Sequence, residues 1–327
     1  MKNVMWIVLF AVFIAVFVGI GVARKDGSAR QVICRIGVVP RETASPYWEG
    51  VRNGAEQAAK EESVTILWNG PEVETDFERQ IQIVEDMIAQ KVDGIILAPG
   101  NRNALVPALE KAATRRIPCV IIDSGAETDR YLSYMATDNY KGGVLAARRM
   151  GEILAGKGRI LVVAWTPHSA STDARLQGFR ETLVKEFPGV EIADWQFPNP
   201  ATMEKARDVA QTMLTRNAGV DAVFACNAAS GDGALTAVQS FQQGGSEKKI
   251  KVIVCDACPM FVEGLKKGDL DSLILQNPYK MGYQGVKAIV HHLNGEPVPK
   301  EVDTGAELIT ADKLDDPKTV ELLNYQI

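Results

Sequence analysis

Four polar residues stand where short apolar runs stop. Asp123 closes IPCVIID, Asn227 closes VDAVFACN, Asp256 closes IKVIVCD and Gln276 closes SLILQ. Arg41, Asn69, Asp138 and Trp165 hold the same kind of place after VICRIGVVP, VTILW, YLSYMAT and GRILVVA. Two large aromatics, Tyr47 and Trp48, lie at another junction, between ICRIGVVP and a helical pattern. Carboxylates accept hydrogen bonds from hydroxyls, and Asn and Gln side chains both donate and accept. Tyr and Trp offer flat apolar faces with a polar tip. Together these groups suit a small polyhydroxylated ligand. Asp and Asn also cap helices, so Asp138 or Asn227 alone proves nothing. A full set, each member ending an apolar run, is harder to assign to capping.

Other chemistries find less support. The chain has no GxSxG and no GxxxxGK[ST]. Its three histidines are His168, His291 and His292. The last two sit near the end of KAIVHHLNG, where a helix terminus favours a cation. His168, in WTPHSAS, has no sequence partners for a triad or a metal. Asp123, Asp173 and Asp256 admit a carboxylate pair for glycoside hydrolysis, which stands as the enzyme alternative. No cofactor and no metal are expected.

The elements that must position these residues alternate strictly. Apolar runs of strand length are followed by helical patterns, as in VTILWNG and then TDFERQIQIVEDMIAQK, where Phe77, Ile81, Val84 and Ile88 recur at helical spacing. The runs are nearly continuous in Val, Ile and Leu, which marks parallel strands covered on both faces. The pattern predicts an α/β fold with doubly wound parallel sheets. There are too many units for one sheet, so two lobes are expected. The 327 residues are 46% hydrophobic and 24% charged, with a net charge of −5, and show no basic block for nucleic acid.

Val4–Ala23 reads VMWIVLFAVFIAVFVGIGVA, without a charge. That is about the ~20 residues a membrane-spanning helix needs. An uncleaved signal anchor and a signal peptide cut after Ala23 both fit; the length favours the anchor. Either sends the rest of the chain out of the cytoplasm. The five cysteines, Cys34, Cys119, Cys226, Cys255 and Cys258, read mainly as small buried hydrophobes. CDAC at 255–258 has CxxC spacing, too little for a metal site.

The motifs SPYWEGVRNGAEQAA, DGIILAP, IPCVIID, ATDNYKGG, ARLQGF, VDAVFACN, GALTAV, VIVCDA and LILQNPYKMGYQGVKAI, in this order, resemble the type I periplasmic sugar-binding proteins of the ribose/galactose type. The resemblance runs from about Val32 to Leu308 and extends to the effector domains of LacI-type repressors. It implies two Rossmann-like lobes joined by crossover strands. The lobes would be 31–136 with 277–305, and 137–276 with 306–327, after a leader and linker at 1–30. It implies sugar contacts by Tyr47, Trp48, Asp123, Thr137, Asn227, Asp256 and Gln276, with Trp165 stacking on the second face.

Two positions depart from the ribose-type pattern. Ser124 stands where an arginine is expected after Asp123, and Asp173 where one is expected before the RLQGF motif. Arg175 and Arg41 are the available replacements. The simple alignment predicts a site that has lost two cations and gained an anion, which suits another pentose or hexose, a polyol or an amine-bearing ligand. The implied function is extracytoplasmic capture of a carbohydrate or polyol for the permease of an ABC importer. A membrane-anchored sensor serving a kinase or chemoreceptor is an alternative partnership. A LacI-type regulator is set aside, since an apolar span replaces the DNA-binding helices.

Overall fold

The computed structural model describes residues 34–244 and 248–326. The apolar segment Val4–Ala23 lies outside them. Among the described residues no helix is long and apolar enough to cross a membrane.

Two six-stranded sheets organise the chain. The first holds β1 (Arg35–Val39), β2 (Thr65–Trp68), β3 (Gly94–Leu97), β4 (Cys119–Ile122), β5 (Ser133–Ala136) and β11 (Glu301–Asp303), in the order β11-β5-β4-β3-β1-β2. The second holds β6 (Lys157–Val163), β7 (Gly189–Gln196), β8 (Ala222–Ala225), β9 (Lys251–Cys255), β10 (Ser272–Leu275) and β12 (Glu307–Thr310), in the order β12-β10-β9-β8-β6-β7. All neighbours pair in parallel except β10 with β12. These are two doubly wound α/β lobes, as the alternation predicts.

The continuous apolar strands are buried on both faces. In the first lobe Ile36, Val38, Ile96, Val120 and Ile122 pack on one side, against α1 (Pro46–Glu62) and α9 (Pro278–Leu293). Val39, Ile95, Leu97 and Ile121 pack on the other, against α2 (Phe77–Ala89) and α3 (Val106–Thr114). In the second lobe α4 (Asn139–Ile153), α5 (Ala170–Glu186), α6 (Met203–Arg216), α7 (Ala228–Gln243), α8 (Pro259–Lys267) and α10 (Pro317–Asn324) enclose a single core around Phe179 and Phe224. Those two rings stack with centroids 4.2 Å apart. Helix starts follow local chemistry. Asp76, Asp138, Thr202, Asn227 and Asn277 each cap through a side-chain oxygen, and α1, α8, α9 and α10 carry Pro in the first turn.

The chain passes between the lobes three times, after β5, after β10 and between β11 and β12. The first and third passages are stitched together. Thr137 Oγ1 donates to the Gly305 carbonyl at 3.1 Å, and Thr304 N to that of Ala136 at 2.9 Å. Gly305, with φ of 98°, takes a backbone conformation that a side chain would strain.

The lobes repeat one another in detail. α1 packs on α9 as α5 packs on α4, through glycines at matching helical positions. A Cβ on Gly54 would overlap the Tyr279 carbonyl, and one on Gly178 the Tyr140 carbonyl; Gly282 meets Val51 as Gly143 meets Arg175. Backbone-to-backbone contact leaves no room for a methyl group. Gly282→Ala is therefore expected to lower unfolding free energy by about 1–3 kcal/mol in urea titrations. The exposed Val184→Ser, by contrast, should stay within about 0.5 kcal/mol.

Candidate ligand site between the lobes

In sheets of this order ligands sit beyond the carboxyl ends of the strands. The loops there are held from behind. Gln80, buried on α2, donates to the Pro40 and Ala98 carbonyls at 2.9 and 2.8 Å and accepts from Gly100 N at 2.9 Å. One side chain thus fixes the loops after β1 and β3.

Asp123 ends β4 and Asp256 ends β9, equivalent strands of the two sheets. Both have left-handed backbones, with φ of 62° and 73°. Asp tolerates that region better than most residues, and strain of this kind gathers at functional sites. Asp123 is 4% exposed and Asp256 7%. Asp123 accepts the Tyr47 hydroxyl at 2.8 Å and lies 3.7 Å from Arg41. Asp256 accepts the Gln276 amide at 2.6 Å and Ala228 N at 3.3 Å, the start of α7, and lies 3.9 Å from Arg175. Arg175 is further held by Asn139 Oδ1 and the Cys226 carbonyl, both at 2.7 Å.

Burial pushes the Asp123 carboxyl above its ordinary value, against the pull of Arg41, Arg175 and Tyr47. Burial likewise raises the Tyr47 hydroxyl well above its usual range, helped by Asp123 and Asp256. For Arg175 burial opposes the charge, but the field of Asp256 and Asp123 outweighs it and the pKa rises. Three buried atoms of this cluster have no hydrogen-bond partner among the described residues: Arg41 Nε, Asp123 Oδ2 and Gln276 Oε1. Native interiors leave few such atoms.

The lobes also touch directly. Trp165 Nε1 donates to Glu74 at 2.8 Å, Arg41 reaches Thr166 at 3.5 Å, Ser171 N donates to Ser124 Oγ at 3.3 Å, and Arg102 pairs with Asp173 at 2.8 Å.

The structure brings Arg41, Tyr47, Asp123, Arg175, Asp256 and Gln276 into one cluster. Asp173 is not in it. Two positions apart on a helix face nearly opposite ways, so with Arg175 turned inward Asp173 points to the rim and to Arg102. The added anion expected from the alignment is thus absent from the cluster, and two guanidinium groups are present. Trp48 is 2% exposed, within the first lobe's apolar core and edge-to-face with Tyr47 at 5.1 Å. Trp165 packs in the second lobe's core with its indole N–H committed to Glu74. Ser124 is bonded across the lobes, Thr137 ties two crossovers, and Asn227 Oδ1 caps α7 through Ser230 N. Asn69 is exposed, and Asp138 caps α4. Sequence reading missed Glu74, Thr166, Asn139 and Gln80. Thr166 lies just past the strand-end residue Trp165 and Glu74 several residues beyond β2, and the facing lobe gives both of them a partner. All five cysteines are free thiols, and no group of three or more potential ligands suited to a metal ion occurs among the described residues.

Two doubly wound lobes, three crossovers and buried, partly unpaired polar groups where their strand ends meet define a bilobal solute-binding architecture. The chain belongs to the periplasmic binding protein domain family, whose profile matches residues 36–297. It is similar to the ribose import binding protein of Bacillus subtilis, with 26% identity over 288 residues covering 88% of this chain and 91% of that one. It is also similar to the D-ribose/D-allose-binding protein of Pseudomonas aeruginosa, with 28% identity covering 85% and 89%. Among solved structures, a carbohydrate transporter solute-binding protein of Agrobacterium radiobacter in complex with D-arabinose superposes with a TM-score of 0.85 at 31% identity, covering 89% and 99%.

The raised pKa of Asp123 carries a sign. The folded chain keeps this proton at pH values where the unfolded chain, near 3.8, has lost it. Its contribution is therefore favourable at low pH and fades as pH rises through the folded value. Asp123→Asn removes that loss. Without ligand, the variant should be at least as stable as the parent at about pH 7 and should lose less stability between about pH 4 and pH 7. Thermal melts across pH check this; a variant that is less stable at neutral pH would show that Arg41 depends on the carboxylate charge.

Proposed function

We propose that this chain is the binding component of an ABC-type importer for a monosaccharide or small polyol, which it clasps between its lobes. The observation that carries this reading is the chemistry of the three unpaired atoms: Arg41 Nε is a donor, and Asp123 Oδ2 and Gln276 Oε1 are acceptors. A hydroxyl both donates and accepts, so one neutral polyol serves all three. A carboxylate ligand would face Asp123, and an ammonium would face the Arg41 guanidinium. Tyr47 supplies an aromatic ring beside this set. Several relatives carry names of the same chemistry, including a xylitol-binding protein of Mycolicibacterium smegmatis.

Family membership implies an extracytoplasmic location, which the apolar leader Val4–Ala23 fits. The reading is of a binder and not of a hydrolase. Asp173 is paired at the rim, and Asp123 and Asp256 each stand against a guanidinium.

The test is a thermal-shift and calorimetric screen of the full chain against D-ribose, D-allose, D-arabinose, D-tagatose, D-fucose and xylitol. A ligand at about 100 times its dissociation constant stabilises the folded state by about 2.7 kcal/mol. One or more of these should raise the melting temperature and be recovered unchanged by NMR. Asp256→Ala should weaken binding by about a hundredfold, because it removes the acceptor of Gln276 and the counter-charge of Arg175. No shift with any of the six would overturn the sugar reading, and cleavage of the bound sugar would overturn the binder reading.

A further inference from the structure

Glu74 lies in the loop after β2, at the edge of the first sheet opposite β5 and β11. Trp165 follows β6, on the corresponding side of the second sheet, away from β10 and β12. The three crossovers leave from β5, β10 and β11. The contact between Glu74 and Trp165 is therefore at the end of the cleft farthest from the hinge, where any opening moves the lobes furthest apart. It is also wired inward. Glu74 Oε2 accepts the Trp165 indole N–H at 2.8 Å and stands 3.5 Å from Arg41 Nη2. The same guanidinium stands 3.7 Å from Asp123 Oδ2, an atom without a hydrogen-bond partner inside the cluster, and its Nη2 reaches Thr166 of the facing lobe at 3.5 Å.

We propose that Glu74 is a positioning residue that latches the mouth of the cleft: it holds the Trp165 indole across the lobes and joins that grip, through Arg41, to the ligand-facing carboxylate Asp123. A group bound at Asp123 fixes Arg41, Arg41 fixes Glu74, and Glu74 then holds Trp165. Because the grip exists only between closed lobes, it slows ligand escape and leaves the encounter step alone. The part concerning ligand escape rests on the sugar-binding reading; the grip itself does not.

Two arms test it on the full chain. The first needs no ligand. Acrylamide quenching of tryptophan fluorescence is compared between the parent and Glu74→Ala, with the signal of the corresponding Trp165→Phe proteins subtracted from each. The Trp165 component should be quenched more strongly in Glu74→Ala, and Glu74→Gln, which keeps an acceptor for the indole, should restore most of the protection. Equal quenching in parent and Glu74→Ala overturns the latch whether or not a sugar binds. The second arm measures stopped-flow rates with D-ribose, D-allose and D-arabinose. Glu74→Ala and Trp165→Phe should each speed dissociation by about tenfold, the worth of one hydrogen bond to a charged group, with association within about twofold. The double variant should dissociate no faster than either single one. Multiplying losses, or a slowed association with unchanged dissociation, would overturn it. If none of the three sugars binds the parent protein, the sugar reading is what has failed, and the quenching arm still decides the latch.

Discussion

Two carboxylates taken out of water are the constraint to which the site is fitted. Asp123 and Asp256 end equivalent strands, buried, in a backbone conformation that few side chains accept. An isolated buried charge is costly, and it persists only when paired and hydrogen-bonded. Each lobe solves the problem differently. The first supplies Tyr47 from the start of α1 and Arg41 from the loop after β1. The second supplies Arg175 from α5, Gln276 from the crossover after β10 and the N-terminus of α7. Arg175 in turn is held by Asn139 and the Cys226 carbonyl.

That division of labour rests on a repeated frame. Matching glycines bring α1 onto α9 and α5 onto α4 at backbone contact, so the two helices that follow the first strands of each lobe start at fixed places over the strand ends. The frame is common; the residues carried on it are not. α1 brings an aromatic pair where α5 brings Ser171 and Thr172, and α5 brings Arg175 where α1 has the apolar Val51. A cleft between such halves has a carboxylate and a guanidinium on each face, with an aromatic ring added on one and amides on the other, which is an asymmetry suited to holding a small molecule in one orientation.

Much of this was legible in the sequence because it is local. Continuous Val/Ile/Leu runs report strands covered on both faces, and the residues that stop those runs report the strand ends, which is why Asp123, Asp256 and Gln276 were found. What the sequence did not disclose depends on facing and on tertiary partners. Trp48 follows Tyr47 by one residue, but about 100° around a helix turns it into the core. Asp173 and Arg175 are both near the cleft in sequence, and only the helical phase decides that the arginine faces in. Asn227 and Asp138 look alike as polar strand ends and both serve as caps. Glu74 sits several residues beyond its strand and gains meaning only from Trp165, ninety-one positions away and in the other lobe.

The lobes are rigid cores, whereas the contacts between them are a few polar bonds, and the balance between open and closed forms follows from that difference. Surface ion pairs such as Arg102 with Asp173 contribute about 0–1 kcal/mol, too little alone to hold two domains shut. The closed form also confines Arg41 Nε, Asp123 Oδ2 and Gln276 Oε1 without partners. Each unmade bond of that kind costs about 1–3 kcal/mol. Moving an equilibrium from about 1:99 to 99:1 takes about 5.5 kcal/mol of preferential binding. Three hydroxyl contacts at those sites span that amount. The ligand need not push the lobes together. By completing bonds that closure leaves open, it deepens a closed form that the contacts between the lobes already hold in part, and a molecule lacking the right hydroxyls leaves the penalty in place.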